Sequence, residues 1–501
     1  MEHEVVVVGG GIGGLTVAAL LAARGVDVCL LEKEAHVGGC AAGFEKFDYK
    51  FDSGIGLYPL WQPGAIHDRI FSRLPVKPPE TRLRDPAYVV RLPDHSELTV
   101  SADVDKFEAA LSTAFPECAA NAITFYRECA RVSNALLRAF ERAPDLLSGG
   151  KRKQFYSFLP HFLEASRISL MKDHTVQRYL HGTSSRFRRF VDAQLQCLAL
   201  APGETCSYLY ATIALTLSRQ QMFSIKGGAP AVANALAESI HTSGGKVRLN
   251  ATVLRLAYDS SGRALGVTLL TGETLKASRA IISNLTVWDT YGRLIGLDRT
   301  PTEIRKYLKA LRGWGPYVMY LGIDDAAAKR LPDNTIIALT DWQEGEAFEP
   351  QESLFTFAPA PSWDTRGPAG KRAVTAVAFT DVDQWFTFHE NEEQQDQLDQ
   401  STLESWWRHI HQAIPELGDG LEVIDTVTPS TFYQSTRRKL GMMGSVGSAL
   451  AEFGPELVGS STLLNNVFMV GDTTFPGAGI APVSFAALSL ADRLLGQHRT
   501  H

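Results

Sequence analysis

The stretch Val5-Val6-Val7-Val8-Gly9-Gly10-Gly11-Ile12-Gly13-Gly14-Leu15, with Glu32 following 18 residues after Gly14, decides how this chain is read. Val5 to Val8 is a β-branched run of the kind buried on both faces of a parallel sheet. Gly9, Gly11 and Gly14 hold the spacing G-x-G-x-x-G, with Gly13 inside it. In that pattern the first glycine permits a tight turn. The second lets the backbone approach a pyrophosphate, and the third lets a helix pack close to the strand. Leu15 to Arg24 is rich in Ala and Leu and predicts a helix, ended by Gly25. Val26 to Leu31 predicts a second strand, which delivers Glu32 to accept hydrogen bonds from a ribose diol. Lys33 stands beside it on the same edge. The unit is β-α-β, and its helix N-terminus presents free N–H groups and partial positive charge to phosphates.

The next residues favour FAD over NAD. Glu34-Ala35-His36-Val37-Gly38-Gly39 places a second glycine pair just past the ribose position, where backbone must again lie close to a ligand. Phe51-Asp52-Ser53-Gly54 is a further small-residue turn. At the far end, a strand over Val467 to Val470 precedes Gly471-Asp472 and a Gly/Pro loop. Gly477, Gly479 and Pro482 bracket the start of a last helix, and proline is favoured in a first turn. Free N–H groups around Gly479, Ile480 and Ala481 would face the flavin pyrimidine edge and stabilise negative charge there.

These pieces, together with Lys226-Gly227-Gly228, the Val253 strand, Ile281-Ile282-Ser283-Asn284, Trp288-Asp289-Thr290 and Gly471 to Gly479, resemble the phytoene desaturase group of flavin oxidoreductases. Carotenoid cis–trans isomerases and retinol saturases belong to that group. The resemblance spans the flavin half from end to end and the substrate half in outline. Looser likenesses are amine oxidases and the Rab GDP-dissociation-inhibitor and escort proteins, which carry prenyl groups without flavin. The group implies that Asp472 holds the ribityl chain or phosphate edge. It also adds Gly38, Gly39, Asp52, Ser53, Gly54, Val253 and Asn284 to the cofactor residues Gly9, Gly11, Gly13, Gly14, Glu32, Lys33, Gly471, Gly479, Ile480 and Ala481.

The expected fold is α/β with two interleaved domains. A Rossmann-like FAD-binding domain of the glutathione-reductase and amine-oxidase type comes from 1–75, 220–290 and 456–501. A mixed α+β substrate-binding domain comes from 76–219 and 291–455, where residues 76–220 read as helices apart from a β-like stretch near Tyr88 to Val100. The implied activity is flavin-centred redox chemistry on an apolar carotenoid or retinoid-like polyene, by desaturation or isomerisation, with quinone or oxygen as an electron acceptor. Saturation, amine oxidation and non-catalytic lipid carriage are the alternatives.

Composition sets the outer limits. The chain has 501 residues, 45% hydrophobic and 21% charged, with a net charge of -6. No global basic field draws it to nucleic acid. The six cysteines show neither CxxC pairing nor zinc-ligand spacing, and the thirteen histidines show no metal spacing; no metal is expected. Ser53 and Ser283 have no base partner in sequence, so serine nucleophilic chemistry is not expected. Trp288 and Trp406-Trp407 read as core. There is no signal-like N-terminus and no stretch of eighteen apolar residues, so a cytoplasmic chain without a spanning helix is expected. Phe155, Phe158, Leu159, Phe162 and Leu163 fall at helical spacing beside Lys151-Arg152-Lys153, a pattern suited to packing or to peripheral contact with the cytoplasmic membrane face.

Overall fold

A computed structural model describes residues 1–142, 171, 173–343, 345, 347–387, 391–444, 446–453 and 459–496. The quoted stretch forms the strand β1 (Glu2–Val8), the helix α1 (Ile12–Ala22) and the strand β2 (Val28–Leu31). β1 and β2 run parallel, in register from Val5 against Val28 to Val8 against Leu31. Parallel neighbours need a crossover, and α1 supplies it.

β1 and β2 lie inside a seven-stranded sheet built from distant segments. Across it run Lys246–Arg248, β2, β1, Thr274–Ser283, Ala264–Leu269 and Val253–Tyr258. Val467–Met469 pairs in parallel with the end of Thr274–Ser283, so the C-terminal segment completes the sheet. Alternate residues explain the unbroken valine run. Val5 and Val7 face one core with α1 and the helices Gly228–Thr242 and Ile480–Leu494. Val6 and Val8 face a second core on the other side. Every residue of α1 is buried, which is why it lacks the polar stripe of a surface helix.

A second seven-stranded sheet runs in the order Leu421–Val427, Gly315–Asp324, Lys371–Thr380, Leu354–Pro359, Ile336–Leu339, Tyr88–Arg91 and Glu97–Val100. All its pairings are antiparallel except Ile336–Leu339 with Tyr88–Arg91. One face packs Tyr317, Met319, Phe355 and Phe357 against Trp406 and Ile410 of the helix Glu392–Ala413. The other face receives a hairpin from the N-terminal segment, Phe44–Lys46 and Tyr49–Phe51. There the Tyr320 ring lies 4.7 Å from Phe44 and 4.8 Å from Phe51, within the range of favourable aromatic pairs. Trp288 and Trp406 are buried, as read from sequence.

Between the sheets, Met222–Ile225 pairs with Tyr58–Pro59 on one side and Thr81–Arg84 on the other. The strand Thr81–Arg84 escapes the sequence reading of 76–220. It is polar with Leu83 exposed, an edge whose partner lies far along the chain, so local alternation carries no signal. The helices Val104–Ala114, Ala119–Arg142, Ser185–Ala199 and Tyr208–Leu217 make up much of this region. Asp103 and Ser184 cap two of them by accepting the N–H of Lys106 and Phe187, as short polar side chains do at N-caps. The stripe at Phe155 to Leu163 and the Lys151-Arg152-Lys153 run lie outside the described residues. No helix among the described residues is long and apolar enough to cross a membrane.

Asp192, buried in the helix Ser185–Ala199, gives a pH-dependent prediction. It accepts the Gly203 N–H at 2.8 Å, with Arg189 at 3.4 Å. Burial pushes its carboxyl up to about 6 despite those partners. A raised carboxyl favours the folded state while protonated and penalises it once ionised. Stability contributed at low pH is therefore lost as pH rises from about 4 through about 6, a change of roughly 1–3 kcal/mol. Asp192→Asn should stabilise the protein at pH 8 by an amount in that range, with little gain at pH 4. Urea unfolding at both pH values checks this, and equal effects at the two would contradict it.

Candidate cofactor site

The glycine loop is shaped by close approaches. Gly9 has φ +99°, open to glycine and strained for other residues. A Cβ on Gly14 would sit 2.2 Å from the Gly9 carbonyl oxygen, so only glycine lets α1 begin here. A Cβ on Gly11 would lie 2.7 Å from Asn284 Oδ1, and one on Gly13 2.9 Å from Asn284 Nδ2. Asn284 is thus a strut beneath the loop. Its backbone N–H donates to Val8 at 2.8 Å and its side-chain amide donates to the Val470 carbonyl at 2.8 Å. Gly11 caps α1 with no side-chain acceptor, which leaves first-turn N–H groups for an anion.

Glu32 is buried at the end of β2 and accepts the N–H of Gly10 at 2.6 Å and of Glu34 at 2.9 Å. A carboxylate has about four acceptor sites, so it braces both loops and keeps capacity for ribose hydroxyls. Glu32→Ala should weaken FAD binding by about 1–3 kcal/mol, the scale of a charge-assisted hydrogen bond. Fluorescence titration of flavin-free protein checks this, and an unchanged affinity would remove Glu32 from the site. Lys33 bonds through its amine to the Glu34 carboxylate and the Ser435 carbonyl. Val253 pairs with Leu269, and two residues earlier the Ala251 N–H donates to the Glu32 carbonyl at 2.8 Å.

The second glycine pair folds back on the first loop. Gly38 has φ +120° and its N–H donates to the Gly10 carbonyl at 2.8 Å. A Cβ on Gly39 would lie 3.3 Å from Gly11 Cα. The C-terminal segment closes the same region. The Val470 N–H donates to the Ser283 carbonyl at 2.9 Å, and a Cβ on Gly471 would lie 3.1 Å from Asn284 Nδ2. Gly479 is exposed with φ +106°, and it starts the helix at Ile480 without a side-chain cap. Ile480 is half-buried and Ala481 buried.

The third turn is different in kind. Asp52 is buried, and its carboxylate accepts from Tyr58 Oη and from the N–H groups of Gly54 at 3.2 Å and Ala229 at 3.3 Å. Arg366 lies 3.8 Å away. Burial pushes this carboxyl up, opposed by Arg366. The Asp52 carbonyl accepts Thr375 Oγ1 at 2.6 Å, and Ser53 Oγ donates to the Cys40 carbonyl at 2.8 Å. Asp52 therefore joins the Gly228 helix to the second sheet, with its side chain committed to protein donors.

Two residues at the site escaped the sequence reading. Arg438 pairs bidentately with Asp472 at 2.7 and 3.1 Å, and Tyr210 Oη accepts the Ala478 N–H at 3.3 Å. Arg437-Arg438-Lys439 is a visible basic run, but only the tertiary fold tells which of the three turns inward.

The cradle fits FAD on its own geometry: open N–H groups at α1, a carboxylate at the ribose position, and glycines wherever a Cβ would intrude. The fold and site define a dinucleotide-binding oxidoreductase. A family model for flavin containing amine oxidoreductases matches residues 12–474, and the chain belongs to that family. It is an enzyme, and FAD is its cofactor. The chain is 25% identical to prolycopene isomerase 1, chloroplastic, of an Oncidium hybrid cultivar, over 98% of this chain and 84% of that one. Phytoene desaturase (neurosporene-forming) of Rhodobacter capsulatus is 25% identical over 95% and 91%. All-trans-retinol 13,14-reductase of Danio rerio is 24% identical over 94% and 82%. Among solved structures, an oxidoreductase from Methanosarcina mazei aligns with a TM-score of 0.65 at 16% identity, over 98% of this chain and 99% of that one. Cyclohexylamine oxidase from Brevibacterium oxydans aligns with a TM-score of 0.61 at 15%, over 99% and 100%. These structures establish the amine-oxidase type of fold.

Proposed function

We propose that this chain is an FAD-dependent oxidoreductase of a hydrophobic polyene, of the carotenoid desaturase or isomerase kind. The observation that carries the reading is the end-to-end similarity to relatives named for lycopene, phytoene and retinol chemistry. The carboxylates around the loops add support. Asp52 is engaged by N–H and hydroxyl donors, Asp472 by Arg438, Asp289 by Thr286 Oγ1 at 2.6 Å and Glu32 by two backbone N–H groups. This arrangement favours an apolar ligand over a substrate ammonium, which would need a carboxylate to pair with. When bound, FAD supplies two-electron exchange with C–H and C=C bonds. Gly9, Gly11, Gly13, Gly14, Gly38 and Gly39 clear the path of its pyrophosphate, and Glu32, Lys33 and Val253 frame the adenosine end. Asn284 and Gly471 hold the central loops together. Asp52, Ser53 and Gly54 set the turn that joins the two halves, and Gly479, Ile480 and Ala481 present the last helix to the ring. The division into a flavin unit (1–75, 220–290, 456–501) and a substrate unit (76–219, 291–455) is part of the proposal, supported by the two sheets.

The test is an electron count. A desaturase needs an acceptor such as quinone or oxygen for every two electrons removed, a saturase consumes a reductant, and an isomerase leaves the count unchanged. Linear carotenes of defined geometry are supplied anaerobically to protein with its flavin pre-reduced. Isomer conversion without loss of reducing equivalents assigns an isomerase, and product only with oxidised flavin and an acceptor assigns a desaturase. If no polyene reacts in either state while primary amines bleach the flavin, the reading is wrong. Because long polyenes dissolve in bilayers, peripheral contact with a membrane belongs to this proposal. Liposome flotation that strengthens with anionic lipid and weakens with salt is the expected result.

A further inference from the structure

We propose that Arg438 is a positioning residue of the cofactor site: it clasps the Gly471-Asp472 loop to the Gly39-Cys40 loop and fixes the charge and direction of the Asp472 carboxylate. The inference rests on the reading that these loops face FAD.

The geometry has three parts. Arg438 Nη1 and Nη2 donate to the two oxygens of Asp472, at 3.1 and 2.7 Å. Nη1 also meets Cys40 Sγ at 3.6 Å. Nε donates to the Met442 carbonyl at 2.8 Å, which fixes the plane of the guanidinium. The residue is buried, whereas the Asp472 side chain keeps 25% of its surface. The cation thus lies behind the carboxylate, and the carboxylate faces the opening. A fork of planar donors holds a carboxylate in one orientation, which a lysine point charge cannot do.

The three partners come from three separated segments. Cys40 follows the second glycine pair, and Asp472 follows the last sheet strand. Arg438 sits two residues beyond the helix Pro429–Thr436 of the 291–455 segment. One side chain therefore joins both ends of the flavin half to the other half. Burial presses the guanidinium toward its neutral form, but Asp472 and Cys40 hold it above its ordinary value. Asp289 also lies in its field and opposes burial from the same side. The array Cys40, Arg438, Asp472 and Asp289 is therefore a balanced charge cluster, and the balance is where the test bites.

Removing one charge of a close pair leaves the other uncompensated. Arg438→Gln leaves Asp472 as a net negative charge, which disfavours electron uptake by a bound flavin. Asp472→Asn leaves Arg438 as a net positive charge, which favours it. The midpoint potential of bound FAD should shift negative in the first variant and positive in the second. It should return close to the parent value in the double variant Arg438→Gln/Asp472→Asn. Arg438→Lys should keep the potential near the parent value yet weaken FAD binding, because charge survives and the fork does not. The FAD dissociation constant should rise at least tenfold, about 1.4 kcal/mol, in Arg438→Gln.

Absorbance titration of flavin-free protein and potentiometry of the reloaded holoprotein read these effects. A residue that only packs the loops would lower thermal stability without moving the potential in opposite directions. Unmoved potentials in both single variants would overturn the proposal. If Arg438→Gln does not fold, Asp472→Asn decides alone, because a positive shift supports the proposal and none overturns it. Gly11→Val serves as the separate control. If that variant still binds FAD, the location of the cofactor is wrong. If it fails to bind while the Arg438 variants behave like the parent, only the clasp is wrong.

Discussion

Gly11→Val is expected to purify as a folded, colourless protein that stays colourless when FAD is added. Gly11 precedes the first residue of α1, and even a Cβ there would come within 2.7 Å of Asn284 Oδ1. The valine methyls would occupy the space in front of the first-turn N–H groups, where the pyrophosphate must lie. The same clash displaces Asn284, whose amide ties the loop to Val470. The ligand thus loses its room and the loop loses its strut, and affinity should fall at least about a thousandfold, roughly 4 kcal/mol. The fold should survive because the collision is with a side-chain tip. Gly14→Val differs, since its Cβ would meet backbone at 2.2 Å, and should not give folded protein. Flavin content after reconstitution, read beside circular dichroism, separates the outcomes. Stoichiometric FAD in folded Gly11→Val would remove the glycine loop from the site.

The second large effect lies at the other end of the chain. Gly477 has φ +108°, and a Cβ there would fall 2.1 Å from Tyr210 Oη and 2.4 Å from the ring. Tyr210 is buried in the helix Tyr208–Leu217 and cannot retreat. Gly477→Val combines backbone strain of about 1–3 kcal/mol with overpacking of similar size. The loop from Gly477 to Gly479 should leave its place against Tyr210, and the hydrogen bond from Ala478 should go with it. We expect loss of FAD together with a clear drop in melting temperature. Thermal unfolding followed by flavin release measures both, and normal FAD occupancy would show that this loop has no part in holding the cofactor.

Sequence made the flavin half legible because its constraints are local. A glycine that must avoid a Cβ, a strand buried on both faces and a carboxylate at a strand end each leave a mark within about thirty residues. The reading of β1, α1, β2 and the last helix follows from such marks. Pairings made by distant segments leave none. The strand Thr81–Arg84 is polar and gains its identity from Met222–Ile225. Asp52 looks from its turn like another ligand contact, yet its carboxylate reaches Ala229 and Arg366. Arg438 is one of three consecutive basic residues, and its inward direction depends on Met442, Cys40 and Asp472 together. Tyr210 lies in an apolar helix whose periodicity says core and nothing about the loop it supports.

The strand Val467–Met469 and the helix that follows it have a consequence for biosynthesis. A ribosome exposes the glycine loop first, but the neighbour that flanks Thr274–Ser283, and with it Gly471 and Asp472, leaves the exit tunnel last. The nascent chain must carry an open edge and an unfilled cradle through nearly the whole of translation. Cofactor capture is then the closing step of assembly, and a chain truncated before residue 467 is a substrate for quality control and not a partial enzyme.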